Sequence, residues 1–107
     1  MSKAVAAAAL LLAALPAASQ TVDGQALAQA NQCLACHQVD SKRVGPSFKA
    51  VAERFAGKDN VEEYLAQTIR QGGRGRWGAI PMPAQPQVDE TEARDLARWI
   101  LSLDKAD

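Results

Sequence analysis

Two cysteines and one histidine lie close together in residues 33–37, which read CLACH. Cys33 and Cys36 are the only cysteines of the 107-residue chain, and His37 is its only histidine. Thiols exchange disulfides and form covalent links to cofactors, and both thiols and imidazoles bind metal ions. The spacing is therefore compatible with a redox-active dithiol, with part of a zinc site, or with the anchor of a larger cofactor.

These three kinds of site differ in what they require from the rest of the chain. A thioredoxin-like dithiol lies at a strand-to-helix turn, and the sequence shows no strand around it. A structural zinc ion needs four ligands, whereas only three soft ligands are present here, and the adjacent Cys36 and His37 converge poorly on one small ion. Cys-x-x-Cys-His is the attachment signature of a c-type haem. Two thiols three residues apart on a helical turn can reach two vinyl groups on one porphyrin edge, with His37 under the iron, so the sequence favours haem c.

A haem iron bound by His37 needs a ligand on its other face. The chain has no second histidine, and Met82 is its only methionine besides Met1. Pro81 and Pro83 flank Met82 and restrict the backbone on both sides of it. Methionines often only fill a core, but here we interpret Met82 as the second axial ligand.

The elements that must position these residues are helical. Apolar residues recur at helical spacing in four segments, and no alternating strand pattern is convincing. The first two predicted helices cover residues 24–31 and 47–56, with Asp23 as the cap of the first. The third begins after Asn60, with Glu63 as a capping-box partner, and the fourth begins after Asp89 with Glu92 in the same position. The predicted apolar positions are Leu27, Ala30 and Leu34; Phe48, Val51, Ala52 and Phe55; Val61, Tyr64, Leu65, Thr68 and Ile69; and Ala93, Leu96, Ala97, Ile100 and Leu103.

A long irregular segment separates the last two helices. Residues 72–87 read GGRGRWGAIPMPAQPQ, with four glycines and three prolines. Such a loop in a small domain usually has a function, and it contains Met82.

The N-terminal residues 1–19 have the features of a cleaved signal peptide: Lys3, an apolar stretch over residues 4–15, and small residues before a cut after Ser19. The apolar stretch is shorter than the roughly twenty residues of a membrane span. We therefore expect a domain over residues 20–107, exported to the periplasm and without stable membrane insertion. Without Lys3 it has 11 basic and 12 acidic residues, so no strong field draws it to nucleic acid.

The chain resembles the small bacterial class I c-type cytochromes, and in particular the cytochrome c-551 group. The resemblance covers residues 22–103 and rests on CLACH, VGPSFKAVAERFAG, RWGAIPMP and the terminal DLARWILSL. It implies an all-α class I cytochrome c fold of four to five helices wrapped around one covalently bound haem. It also implies that the Pro46 carbonyl accepts a hydrogen bond from His37 Nδ1 and that the Trp77 indole reaches a haem propionate. Gln85 stands where relatives often have an asparagine near the methionine sulfur.

The resemblance also assigns structural positions. Phe48, Val51, Phe55, Leu65, Ile69 and Ile80 would line the haem pocket or the core. Trp99 would pack on the first helix, where Gly24, Ala26 and Ala30 permit close approach.

Two protein ligands and four porphyrin nitrogens saturate the iron, which leaves outer-sphere one-electron transfer as its chemistry. We expect a monomeric electron carrier rather than an enzyme, with a quinol-oxidising complex or another donor and a terminal oxidase, nitrite reductase or peroxidase as acceptor. The alternative is a haem enzyme or gas sensor in which Met82 is labile. The segment RQGGRGRWG is weak support for nucleic-acid binding, and no such partner is expected.

Steering of an acidic partner would need basic residues around the haem edge. The candidates are Lys42, Arg43, Lys49, Arg70, Arg74 and Arg76, around an apolar contact patch of Val44, Ile80 and Pro83.

Overall fold

The computed structural model describes residues 22–105, with the side chain of Lys105 left aside. It contains four α-helices: α1 Gly24–Ala30, α2 Phe48–Phe55, α3 Val61–Gln71 and α4 Glu90–Ser102. Short 3₁₀ turns cover Cys33–Ala35 and Leu103–Lys105. No strand occurs within residues 22–105, so the prediction of an all-α fold is confirmed. The predicted signal peptide, residues 1–19, lies outside this described range.

Three of the four helices begin at a side-chain cap. A side-chain oxygen of Asp23, Ser47 and Asp89 accepts the backbone N–H three residues on, at 3.0, 3.0 and 2.8 Å respectively. These caps satisfy N–H groups that have no partner within the helix. The predictions for Asp23 and Asp89 are confirmed, whereas Ser47, expected inside the second helix, is its cap.

The capping box predicted at Asn60 is wrong. Asn60 has a left-handed backbone with φ of 61°, and its side chain makes no cap hydrogen bond. A cap reaches the first-turn N–H groups from an extended backbone, which Asn60 does not have. The Glu63 carboxylate instead lies 3.3 Å from Arg94 on α4.

Helix α4 is the central element, because α1, α2 and α3 all pack on it. Its residue Leu96 is 1% exposed, as is Val88 just before the helix. The buried core consists of Ala28, Phe48, Val51, Ala52, Phe55, Leu65, Ala66, Ile69, Val88, Ala93, Leu96, Ala97 and Ile100. The predicted apolar faces of α2 and α4 are therefore largely the observed ones.

Helix α1 approaches α4 through glycine. A Cβ added to Gly24 would overlap the side chain of Trp99, whose ring also makes an edge contact with Phe48 at 5.3 Å. The predicted approach at Gly24 is thus confirmed. Ala30, expected on the same buried face, is exposed, and Ala28 is the buried residue one helical turn after Gly24.

Two other predicted core positions are open to solvent. Tyr64 is 39% exposed, although its ring packs at 5.5 Å on that of Phe55, and Ile80 is 67% exposed. Tyr64 lies beside the irregular segment and Ile80 lies within it, where no helix of residues 22–105 covers them. No helix within residues 22–105 has the length and apolar character to cross a membrane.

The contact between Gly24 and Trp99 predicts a destabilising substitution. Gly24→Ala places a methyl group where the indole lies, and overpacking of this kind costs about 1–3 kcal/mol. Denaturant unfolding of the purified protein measures the loss of free energy. Gln25→Ala, at an exposed neighbour on the same helix, is the control, and an equal effect in both variants would contradict the packing account.

Candidate functional site

The Cys-x-x-Cys-His segment is a tight turn that follows α1. Gln32 has a left-handed backbone with φ of 61°. The chain therefore changes direction after α1, before the 3₁₀ turn begins. The backbone N–H groups of Cys36 and His37 both donate to the carbonyl oxygen of Cys33, at 3.2 and 2.9 Å. Cys33, Cys36 and His37 thus belong to a single helical turn.

The two cysteine side chains differ in environment. Cys36 is exposed, whereas Cys33 is half-buried and packs against the core. Burial raises the pKa of the Cys33 thiol, and the nearby Cys36 adds to this effect. A catalytic dithiol needs a lowered pKa to supply thiolate. The environment of Cys33 therefore disfavours thiol–disulfide catalysis.

The imidazole of His37 is held on three sides. Its Nδ1 lies 2.8 Å from the carbonyl oxygen of Pro46, and its ring stacks on Phe48 at 5.0 Å. A Cβ added to Gly45 would lie 2.5 Å from the His37 Cε1, so glycine is needed against this edge of the ring. The Gly45 N–H donates to the carbonyl oxygen of Cys36 at 2.8 Å, which fixes the loop to the turn. Because a carbonyl oxygen only accepts, Nδ1 carries the proton, and Nε2 keeps its lone pair for a metal.

Met82 lies on a loop fastened to the end of α3. Its N–H donates to the carbonyl oxygen of Gly73 at 2.8 Å, and the Gly73 N–H donates back to the Met82 carbonyl oxygen at 3.0 Å. The Gln85 N–H also donates to the carbonyl oxygen of Ile69 at 3.0 Å. Gly72 has φ of +85°, and a Cβ there would lie 2.8 Å from the Met82 carbonyl oxygen. The end of α3 therefore sets the position of the methionine backbone.

The two segments meet at one core. Cys33, Leu34 and Met82 are partly buried and pack against the same core cluster. Within residues 22–105, no group of three or more His, Cys, Asp and Glu side chains is placed to hold a bare metal ion. The donors available are an imidazole nitrogen, a thioether sulfur and two thiols. This set suits a haem, whose porphyrin supplies four ligands of its own. The two thiols could tether the porphyrin, and the imidazole nitrogen and the thioether sulfur could bind the iron.

Trp77 and Gln85, two further residues of the predicted site, make contacts within the protein that the sequence did not predict. The Trp77 indole is 38% exposed, and the Arg54 guanidinium lies 4.7 Å from the centre of its ring. Within the part of the chain that the structure describes, no group accepts a hydrogen bond from the indole N–H. The Gln85 side chain donates to the Pro83 carbonyl oxygen at 3.0 Å and accepts from Gln87 at 2.9 Å. Both polar atoms of the Gln85 amide therefore have partners other than the Met82 sulfur.

Several predicted docking cations have neighbours of their own. Lys49 pairs with Asp40 at 2.7 Å, and Arg70 lies 3.6 Å from Glu90. The Arg76 guanidinium lies over the Phe55 and Tyr64 rings, 5.3 and 5.0 Å from their centres. Sequence reasoning missed both the role of Gly45 against His37 and the aromatic contacts of Arg76. The only available signal was the position of Gly45 immediately before a proline.

Comparison with known proteins gives a consistent result. Residues 21–104 match the sequence profile of the cytochrome c family. The chain is 50% identical to cytochrome c-551 of Stutzerimonas stutzeri over 92 residues, covering 86% of each protein. It is 44% identical to cytochrome c-552 of Hydrogenobacter thermophilus, covering 88% of this chain and 95% of that protein. The crystal structure of Nitrosomonas europaea cytochrome c552 superposes with a TM-score of 0.73 at 48% identity, over 75% of this chain and 99% of that one.

The fit of His37 against Gly45 predicts the effect of one added methyl group. Gly45→Ala pushes the imidazole away from Pro46, so the Nδ1 proton exchanges faster with solvent and the fold loses about 1–3 kcal/mol. NMR of the imidazole and denaturant unfolding measure the two effects. Val44→Ala, at the exposed preceding residue, serves as the control. Unchanged exchange of the Nδ1 proton in Gly45→Ala would show that Gly45 does not position the ring.

Proposed function

Because the chain belongs to the cytochrome c family and is a small electron carrier with one covalently bound haem c, we propose that it works in the periplasm with an iron bound by His37 and Met82. The observation that carries this proposal is that hydrogen bonds hold both the His37 ring and the Met82 backbone in place. His37 has its Nδ1 bonded to a carbonyl oxygen, and the Met82 backbone is fixed by two hydrogen bonds to Gly73.

His37 is proposed as the first axial ligand. The Nδ1–H···O bond to Pro46 selects the tautomer with a free Nε2 and increases the basicity of that nitrogen. Stacking on Phe48 and the close approach of Gly45 restrict rotation of the ring. A ligand held in this way needs little rearrangement when the charge on the metal changes.

Met82 is proposed as the second ligand. A thioether is a weak, neutral donor that favours Fe(II), so a His/Met pair raises the reduction potential. A weak ligand stays bound in both oxidation states only if the protein holds it in place. Pro81 and Pro83 stiffen the chain around Met82, and the pair of hydrogen bonds with Gly73 fastens it to α3.

Cys33 and Cys36 are proposed as the two thioether tethers. They are the only cysteines in the chain, and the turn that holds them also carries His37. A covalent tether keeps the cofactor on a carrier that repeatedly meets and leaves its partners. The thiols then have no redox role of their own.

The bound haem supplies a one-electron Fe(III)/Fe(II) couple. With His37 and Met82 both bound, no coordination position remains for oxygen, peroxide or another substrate. This saturation supports a carrier rather than an enzyme or a gas sensor. Trp77 is proposed to donate its indole N–H to a haem propionate, which is consistent with the lack of another acceptor for it within residues 22–105.

We propose partners that can give or take one electron. A quinol-oxidising complex or another donor would reduce the protein, and a terminal oxidase, nitrite reductase or peroxidase would oxidise it. The exposed apolar side chains of Val44 and Ile80, at 48% and 67% exposure, suit brief contact with such partners. Transient contacts of this kind are small and depend on steering by charge.

The assignment of Met82 gives a direct prediction. Met82→Ala removes the sulfur donor, so the ferric protein loses its thioether-to-iron absorption band. The midpoint potential falls by on the order of 0.1 V, within the roughly 0.8 V that axial ligands control. Potentiometric titration with optical detection measures both effects.

The control is Gln87→Ala, which trims an exposed residue on the same loop and keeps both properties. Retention of the band in Met82→Ala would refute the ligand assignment. Carbon monoxide binding distinguishes an electron carrier from a haem enzyme or gas sensor. As a carrier, the reduced wild-type protein does not bind carbon monoxide, whereas Met82→Ala does. Ready binding by the wild type at neutral pH would instead favour the sensor or enzyme.

A further inference from the structure

The irregular segment over residues 72–87, here called the methionine loop, has a glycine-rich half without backbone hydrogen bonds of its own. Within the described chain, no backbone–backbone hydrogen bond involves residues 74–81. Gly75 and Gly78 have positive φ values of 86° and 125°, in a region that L-residues rarely enter. Glycine loses more conformational freedom on ordering than other residues. This segment therefore needs side-chain contacts to keep one conformation.

Two arginines supply such contacts. Arg54, in the last turn of α2, donates from Nη1 to the carbonyl oxygen of Arg76 at 3.2 Å. The same guanidinium covers the Trp77 ring at 4.7 Å. One side chain of α2 thus contacts two consecutive residues of the loop, at the backbone of one and the ring of the next.

Arg76 makes the complementary contacts from the loop to the helices. Its Nε donates to the Tyr64 hydroxyl at 2.9 Å, and its guanidinium lies 5.0 Å from the Tyr64 ring and 5.3 Å from the Phe55 ring. Phe55 is 4% exposed and contacts Tyr64, so one of the two rings beneath Arg76 is anchored in the core and supports the other. Planar guanidinium groups stack well on aromatic faces. Within residues 22–105, neither Arg54 nor Arg76 forms an ion pair with a carboxylate, so no acid holds either arginine elsewhere.

We propose that Arg54 and Arg76 are positioning residues that fasten the methionine loop to α2 and α3 and thereby keep Met82 on the iron. We call Arg54, Arg76 and their ring partners Phe55, Tyr64 and Trp77 the arginine latch. The pair of hydrogen bonds with Gly73 holds the base of the loop, and the latch holds its outer part. The effect on the iron rests on the ligation of Met82 proposed above, whereas the effect on the loop does not.

The latch acts through geometry rather than through net charge. Replacement of both arginines by glutamine removes two stacked guanidinium groups and two hydrogen bonds from an otherwise unsupported segment. Open conformations of the loop then become more populated. An external anion such as cyanide binds ferric iron only when Met82 has left, so its binding rate reports this population.

The test compares the wild-type holoprotein with the double variant Arg54→Gln/Arg76→Gln. The matched control is the double variant Arg94→Gln/Arg98→Gln, which also removes two positive charges, from exposed ion pairs between α4 and α3. Two quantities are measured: backbone ¹⁵N order parameters of the ferrous protein, and the cyanide binding rate of the ferric protein. In the double variant we expect lower order parameters over residues 75–80 and a cyanide rate about tenfold higher, as for the loss of two such contacts. The control remains at wild-type values.

Tyr64→Phe provides a milder variant if the double variant does not fold. It removes the hydroxyl acceptor of Arg76 and keeps the ring, and a rise of about threefold in the cyanide rate is expected. Wild-type order parameters in both latch variants would overturn the latch. Lowered order parameters with an unchanged cyanide rate would overturn its link to the iron. A wild-type ferric protein without the thioether-to-iron band would refute Met82 ligation itself, while the order parameters would still decide whether the latch exists.

Discussion

The hydrogen bond from His37 Nδ1 to the Pro46 carbonyl oxygen is the interaction on which the site depends. It fixes the proton on one nitrogen and so determines that the other can bind a metal. It also joins the motif turn to the loop before α2, and the Gly45 N–H bonded to Cys36 reinforces this junction. The sequence of this loop has to meet both requirements at once, because glycine must lie against the ring and the next residue must present its carbonyl oxygen.

The same design recurs on the methionine side. Neither proposed ligand lies on an α-helix, yet each is fastened to the region where a helix begins or ends: His37 near the start of α2 and Met82 at the end of α3. Glycines allow close backbone approach at both places, Gly45 against the imidazole and Gly72 against the Met82 carbonyl oxygen. Helix α4 supports both regions indirectly by packing on α2 and α3. A buried helical core and two closely fitted loops can thus position the two proposed ligands.

Much of this was predictable from the sequence because its signals are local. The caps at Asp23 and Asp89, the apolar spacing of α2 and α4, and the attachment motif each depend on residues a few positions apart. The capping box at Asn60 failed because its backbone is left-handed, which a capping pattern does not reveal. Ala30 was misplaced because helical periodicity does not show which face the other helices cover. The contacts of Arg54 and Arg76 with Tyr64 and Trp77 join residues far apart in sequence, so no local pattern predicts them.

The central claim is that one nitrogen ligand and one sulfur ligand from the protein complete the iron coordination. X-ray absorption at the iron edge tests it directly, because sulfur and nitrogen neighbours scatter differently and lie at different distances. We expect a six-coordinate iron with one sulfur and five nitrogen neighbours in both the oxidised and the reduced protein. A five-coordinate iron, or an iron with only nitrogen and oxygen neighbours in either state, would contradict it.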